Sequence, residues 1–116
     1  MELPTAYYLT IKKHKMSKFT VRVELHHATE DDYKLLHEEM ESYNFSRIIS
    51  DTDTGEEFHL PTAEYRGSSP YMEQSDVAKI AEKAALKTER DYSILVTKSA
   101  GTCWIGLPSV KSVTST

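Results

Sequence analysis

The chain of 116 residues has a single cysteine, Cys103, so no disulfide can form within it. This cysteine usage agrees with a reducing compartment, and we expect a cytoplasmic protein. No apolar run approaches the ~20 residues that a membrane-spanning helix requires. The opening segment MELPTAYYLTIKKHK places its charges after its apolar residues, the reverse of a secretory signal. We therefore expect neither export nor membrane insertion.

The sequence also lacks the compact motifs that mark several classes of enzyme. It contains no glycine-rich phosphate loop and no recognisable nucleophile triad. The histidines do not have the close spacing of a zinc site; they include His26, His27, His37 and His59. Asp51 and Asp53 could bind a divalent cation, but aspartate is equally at home in turns for local reasons. We expect no metal and no small-molecule cofactor.

The net charge of −4 argues against a protein that coats nucleic acid without specificity. The charge is unevenly distributed along the chain. Between Glu24 and Glu64 there are twelve acidic residues and only two basic ones, Lys34 and Arg47. The remainder of the chain is therefore positive, with its cations concentrated around the first strand and along the second helix.

The clearest element of the sequence is FTVRVELH, Phe19 to His26. Its apolar residues alternate with polar ones, which predicts a strand that is apolar on one face only. Thr29 and Asp32 form a capping box for a helix from about Glu30 to Tyr43, which Asn44 ends. The run FSRIIS, residues 45–50, predicts a second strand. The sequence pattern is compatible with Arg47 on either face of the sheet.

The second half of the chain repeats this pattern. A turn at Asp51–Gly55 leads into a third strand over residues 56–65, with a bend at Pro61. Residues 66–74 predict a loop, and Ser75 is the expected N-cap of the second helix. Residues 91–98, DYSILVTK, predict the last strand.

The order strand, helix, strand, strand, helix, strand predicts an α+β, ferredoxin-like fold. In this arrangement a four-stranded antiparallel sheet of order 4-1-3-2 carries both helices on one face. We expect residues 16–98 to form this domain and residues 1–15 to be a flexible extension. Residues 99–116 would form a C-terminal tail, partly packed around Trp104.

The open face of such a sheet would present Arg22 and His26 from the first strand, with Glu57 and His59 from its neighbour. Histidines and arginines on adjacent strands suit RNA cleavage, because a base removes the 2′-hydroxyl proton and a cation stabilises the phosphorane. An RNA-recognition motif would instead place aromatic residues there. Phe19 and Phe58 lie on the apolar parity, which argues against that module.

A basic ridge follows the second helix at intervals of four residues. Such a ridge can complement the acidic first helix and the helix dipole, or it can contact a phosphate backbone. For the second of these roles the candidate RNA-binding residues are Lys79, Lys83, Lys87 and Arg90.

The segments described above resemble the GhoS family of antitoxins from type V toxin–antitoxin systems, which are related in fold to small CRISPR-associated nucleases. The resemblance spans about residues 17–98, and its sharpest part is NFSRIISD, residues 44–51. It implies an endoribonuclease that cleaves the mRNA of a small membrane toxin. The family offers no compact catalytic motif to carry over, so the candidate catalytic residues rest on chemistry; they are Arg22, His26, Arg47 and His59.

Two other functions remain open from the sequence. The first is a non-catalytic, dimeric ferredoxin-like module that binds a protein, and the RNA-cleaving form could itself be a homodimer. The second is a small-molecule sensor, which is disfavoured because the open face is charged and not concave and apolar.

Overall fold

The computed structural model describes residues 16–111. The elements are β1 (Ser17–Leu25), α1 (Glu30–Ser42), β2 (Ile48–Ser50), β3 (Glu57–His59), β4 (Glu64–Ser69), α2 (Gln74–Leu86) and β5 (Tyr92–Lys98). The predicted extension at residues 1–15 and the last five residues of the predicted tail lie outside the described residues. None of the described helices is long and apolar enough to cross a membrane.

The strands form two antiparallel sheets. In the three-stranded sheet, β1 lies between β4 and β5, and in the two-stranded sheet β2 pairs with β3. Two backbone hydrogen bonds between Ser46 and Arg66 bring the start of the hairpin against β4. The α+β class is confirmed, whereas the described chain contains sheets of three and two strands where the sequence predicted one sheet of four.

The alternation of β1 separates a covered face from an open face. Phe19, Val21, Val23 and Leu25 are buried, while the intervening residues are exposed or half-buried. The buried side chains share one core with residues of both helices, among them Leu36 and Met40 of α1 and Val77 and Ala81 of α2. Both helices therefore lie on the same side of the sheet.

The first helix begins and ends as the sequence indicates. The Thr29 hydroxyl accepts the Asp32 N–H, and the Asp32 carboxylate accepts the Thr29 N–H. At the other end Asn44 has a positive φ of 67°, which asparagine tolerates better than most residues. Its N–H donates to Glu41 and that of Phe45 to Met40, which is the Schellman pattern. Phe45 is thereby turned back into the core.

The predicted third strand is divided in two. Residues 60–63, which include Pro61, interrupt it, and Ala63 at the bend has a φ of 70°. The bend at Pro61 is confirmed, but the predicted loop over residues 66–74 is wrong because β4 continues to Ser69. The predicted N-cap is also wrong. Glu73, and not Ser75, is the N-cap of α2, and its backbone N–H donates to the Asp76 carboxylate at 2.8 Å.

Gly67 explains why the extension of β4 resembles a loop in sequence. It pairs with Phe19 on the covered face, where the ring of Phe45 lies against its backbone. A Cβ atom at this position would meet two ring carbons of Phe45 at 2.5 Å. Glycine is required here by the close approach of the ring and not by a turn.

We expect Gly67→Ala to lower the free energy of unfolding by about 1–3 kcal/mol, the usual cost of overpacking a core. Urea unfolding would measure this change. Ser68→Ala, which alters the exposed neighbour, serves as the control, and adding Phe45→Leu to Gly67→Ala should recover part of the loss. A Gly67→Ala protein as stable as the parent would show that the ring does not select glycine.

Candidate functional site

The open face carries Arg22 at its centre, but two carboxylates already neutralise this residue. Its guanidinium nitrogens lie 2.7 and 2.9 Å from Glu24 Oε1 and 3.7 Å from Glu64 Oε2. The hydrogen bond and negative charge of Glu24 raise the pKa of Arg22. Arg22 is therefore a permanent cation, and a phosphate must compete with carboxylates for it.

His26 follows β1 on the same face and is exposed. Its Nε2 lies 2.9 Å from the hydroxyl of Ser93 on β5. Arg22 and His26 are four residues apart, so their Cα atoms are separated by about 13 Å along an extended strand. The two residues can therefore contact neighbouring groups of one bound chain more readily than they can both contact the same atom.

Arg47 lies on the covered side of the sheet. Its Nη1 donates to His37 Nε2 at 2.9 Å, and its Nη2 lies near the carbonyls of Leu60 and Pro61. His37 Nδ1 in turn lies 2.6 Å from the hydroxyl of Tyr65, a buried residue opposite Val21. Arg47 thus satisfies the carbonyls at the bend in the strand.

His59 belongs to the second sheet, where it pairs with Ile48 and donates its N–H to the Pro108 carbonyl. The expectation that Glu57 and His59 lie beside β1 is wrong, because β4 occupies that position. The structure keeps Arg22 and His26 on one face and does not bring Arg47 or His59 to them.

The basic ridge lies on the helical layer, away from the open face. Lys79, Lys83 and Lys87 are exposed and form no ion pair with a described residue. Arg90 differs, since its Nε donates to Asp32 of α1 at 2.8 Å and joins the ends of the two helices. The hydrogen bonds with Thr29, the backbone one above all, lower the pKa of Asp32, and the contact with Arg90 adds to this effect.

A cleft of about 570 Å³ opens at one end of the open face. It is lined by Lys18 of β1 and Arg66 of β4, by the turn at residues 51–53 and by the tail within residues 99–104. A smaller cavity of about 320 Å³ shares Lys18 and Arg66 with this cleft. These volumes lie within the range of small-ligand sites, which is roughly 300–1,000 Å³.

Sequence reasoning missed three residues of this cleft. Lys18 shares the parity of Arg22, so the strand pattern could have indicated it. Arg66 falls in the segment for which the sequence predicts a loop, and for Trp104 the sequence predicts only a packing role. The ring of Trp104 does pack on Phe58, with centroids 5.5 Å apart, and it also lines the cleft.

The described residues bring no three histidine, cysteine, aspartate or glutamate side chains together in a way that could hold a metal ion. Asp51 uses its Oδ1 to accept the N–H groups of Asp53 and Thr54, which is the local role of aspartate in turns.

Comparison with protein-family models, curated proteins and solved structures finds no match to this chain. The resemblance to the GhoS family therefore depends on the sequence segments described above.

The network of Arg47, His37 and Tyr65 makes the stability of the fold depend on pH. Arginine only donates hydrogen bonds, so His37 Nε2 must accept and the proton of the neutral ring lies on Nδ1. Burial and the charge of Arg47 lower the pKa of His37 below its ordinary value of 6.5. Below about pH 6.5 the unfolded chain takes up a proton that the folded chain refuses, so stability falls as the pH falls.

We expect the free energy of unfolding to fall by at most ~1.4 kcal/mol per pH unit below about pH 6.5 through this proton. The contribution should be absent in His37→Gln. Urea unfolding between pH 5 and 8 would measure the slope. His27→Asn, at an exposed turn position with positive φ, is the matched control and should keep the parental slope. An unchanged slope in His37→Gln would contradict the assignment.

Proposed function

We propose that the protein is a GhoS-like endoribonuclease antitoxin that binds single-stranded RNA on the open face of its three-stranded sheet and cleaves the mRNA of a small membrane toxin. The observation that carries this proposal is the polar side of β1, where Arg22 and His26 stand on one face next to the cleft above Lys18. The expected compartment is the cytoplasm, where such a transcript is found.

The proposed chemistry uses the residues of the open face. An imidazole at His26 can take the 2′-hydroxyl proton of a nucleotide held along β1, since histidine is neutral in part near pH 7. Attack of that oxygen on the adjacent phosphorus would break the P–O5′ bond and leave a 2′,3′-cyclic phosphate. The departing 5′-oxygen would take a proton from water and become a 5′-hydroxyl. Arg22, released from Glu24, would supply positive charge to the phosphorane. Arg47 and His59 enter this scheme only as supports of the bend and the hairpin.

The finer fold assignment is part of the same proposal. We infer that the two sheets are one ferredoxin-like sheet that is interrupted at the bend of its third predicted strand. The order of the predicted strands, 4-1-3-2, corresponds to β5, β1, the divided strand of β3 and β4, and β2. The paired hydrogen bonds between Ser46 and Arg66 support this inference, since they put the predicted second strand beside β4. The shared helical cover supports it as well.

Purified protein incubated with a candidate toxin transcript should give discrete fragments that end in a cyclic phosphate. We expect His26→Ala to slow cleavage by about 10²- to 10⁴-fold, the usual contribution of a general base, and Arg22→Ala to slow it as well. His27→Asn is the control, and circular dichroism would check folding. Full activity in both folded variants would remove these residues from the site, and hydrolysis to 5′-phosphates would contradict the mechanism.

Glu24→Gln provides a test in the opposite direction. Because this change removes a carboxylate that competes with phosphate for Arg22, we expect tighter RNA binding at low salt. Fluorescence anisotropy with a labelled oligonucleotide would measure the affinity. Glu30→Gln, at the exposed start of α1, should have no such effect, and equal effects of the two variants would point to net charge alone.

A second candidate function has one observation in its favour. β5 lies at the edge of the three-stranded sheet, and no described strand pairs with its outer side. The strand carries no charge before Lys98, and the side chain of Leu95 is 64% exposed. Unprotected edges of this kind pair with other chains, so a non-catalytic dimeric module remains the alternative.

If the alternative holds, light scattering should show a dimer that Leu95→Lys dissociates. Leu86→Lys, at another exposed leucine on α2, should leave the dimer intact. A monomer at all concentrations, together with RNA cleavage, would exclude this function.

A further inference from the structure

Two cations of the open face, Lys18 and Arg66, differ from Arg22 on the same face. Arg22 lies within ion-pair distance of Glu24 and Glu64. Lys18 and Arg66 have no such partner among residues 16–111. Arg66 is half-buried, and its only side-chain hydrogen bond in this range is the one that Nη1 donates to the Thr20 hydroxyl at 2.8 Å. A half-buried guanidinium without a counter-ion favours an anion at this position.

Lys18 and Arg66 lie on adjacent strands, two residue positions apart in register. Arg66 pairs with Thr20, and Lys18 is two residues from Thr20 on the same face. The two backbone positions are thus offset by about 7 Å along the strand direction. Both line the same cleft, so a single bound chain can contact both cations through its phosphates.

Trp104 supplies the aromatic element of the cleft. Its half-buried ring is supported from behind by Phe58 and also lines the cavity beside Lys18 and Arg66. A cationic groove with an aromatic ring at its side is the arrangement by which proteins hold single-stranded nucleic acid, because every base can stack on the ring. A phosphate alone would not need the ring.

The cleft also contains two acidic residues, Asp51 and Asp53, which restrict where a phosphate can lie. Asp51 directs its Oδ1 to backbone N–H groups of its own turn, at 2.8 and 3.2 Å. Asp53 is exposed on the same turn. We therefore expect its carboxylate to repel a bound anion more than that of Asp51 does. The phosphate therefore belongs beside Lys18 and Arg66 and not beside the turn.

We propose that this cleft is a nucleotide subsite for single-stranded RNA, in which Lys18 and Arg66 contact phosphates and a base stacks on Trp104. The inference rests on the proposed function for the identity of the ligand and extends it to a site at which no cleavage residue lies. Trp104 lies outside the segments that carry the family resemblance.

The chain offers a direct readout, since Trp104 is its only tryptophan. Addition of an eight-residue oligouridylate at low salt should quench the intrinsic fluorescence, and anisotropy with the labelled oligonucleotide should give the affinity. We expect Trp104→Ala to weaken binding by about 5- to 150-fold and Trp104→Phe to weaken it less. Ile105→Ala, at the neighbouring side chain that is 99% exposed, is the control and should bind as the parent does.

The phosphate contacts have a separate test that does not depend on the tail. Lys18→Ala should reduce the slope of log affinity against log salt by about 0.7, the value for one phosphate of a single strand. Lys34→Ala, at an exposed lysine of α1 on the helical layer, is the matched control and should leave the slope unchanged. Asp53→Asn should tighten binding.

The outcomes separate this subsite from the proposed function. Cleavage of RNA with unchanged Trp104 fluorescence at saturation would overturn the subsite and leave the endoribonuclease standing. Quenching without cleavage would support the subsite and overturn the enzyme. Equal affinity for uridine monophosphate and for the oligonucleotide would assign the cleft to free nucleotides and overturn its role in holding a strand. Equal losses in Trp104→Ala and Ile105→Ala would overturn the stacking contact.

Discussion

The constraint on which the rest of the structure depends is the alternation of side chains along β1. This strand is paired on both sides, by β4 and by β5, so its register is fixed over most of its length. A slip of one residue would bury Arg22 and expose Val21, which no partner in the core could compensate. The two helices follow from the apolar face that must be covered. The binding surface follows from the polar face that the helices leave uncovered.

The charges show how an acidic chain can still present an anion site. Much of the negative charge is used locally, in the capping box of α1, in the pair between Asp32 and Arg90, and in the turn at Asp51. Arg22 is neutralised by Glu24 and Glu64, whereas Lys18 and Arg66 are not neutralised by any residue in the described range. A net charge of −4 therefore says little about the cleft, because ions beyond about 10 Å are largely screened at ~0.1 M salt.

The sequence was most informative where the structure is determined by neighbouring residues. The alternation of β1, the capping box at Thr29, the end of α1 at Asn44 and the bend at Pro61 each depend on a few adjacent side chains, and each is confirmed. The predictions were wrong where the local structure depends on a residue that is distant in sequence. Gly67 resembles a loop residue in the sequence, whereas in the fold it is a strand residue that leaves room for the ring of Phe45.

The site was harder to predict than the fold for the same reason. Arg22 and His26 share a face because they share a strand. The side of the sheet that Arg47 faces depends on His37, ten residues away, and the two adjacent isoleucines that follow Arg47 give no parity. The cleft is assembled from β1, β4, a hairpin turn and the tail, so no local pattern contains it.

The central claim is that RNA lies on the open face of the sheet and not on the helical layer. Backbone amide shifts in a ¹⁵N-labelled sample, recorded during titration with a short single-stranded RNA, test this claim most directly. The account predicts that the largest changes occur at Lys18, Thr20, Arg22 and Arg66, with little change at Lys79 and Lys83. Changes concentrated on α2, with β1 unaffected, would contradict it.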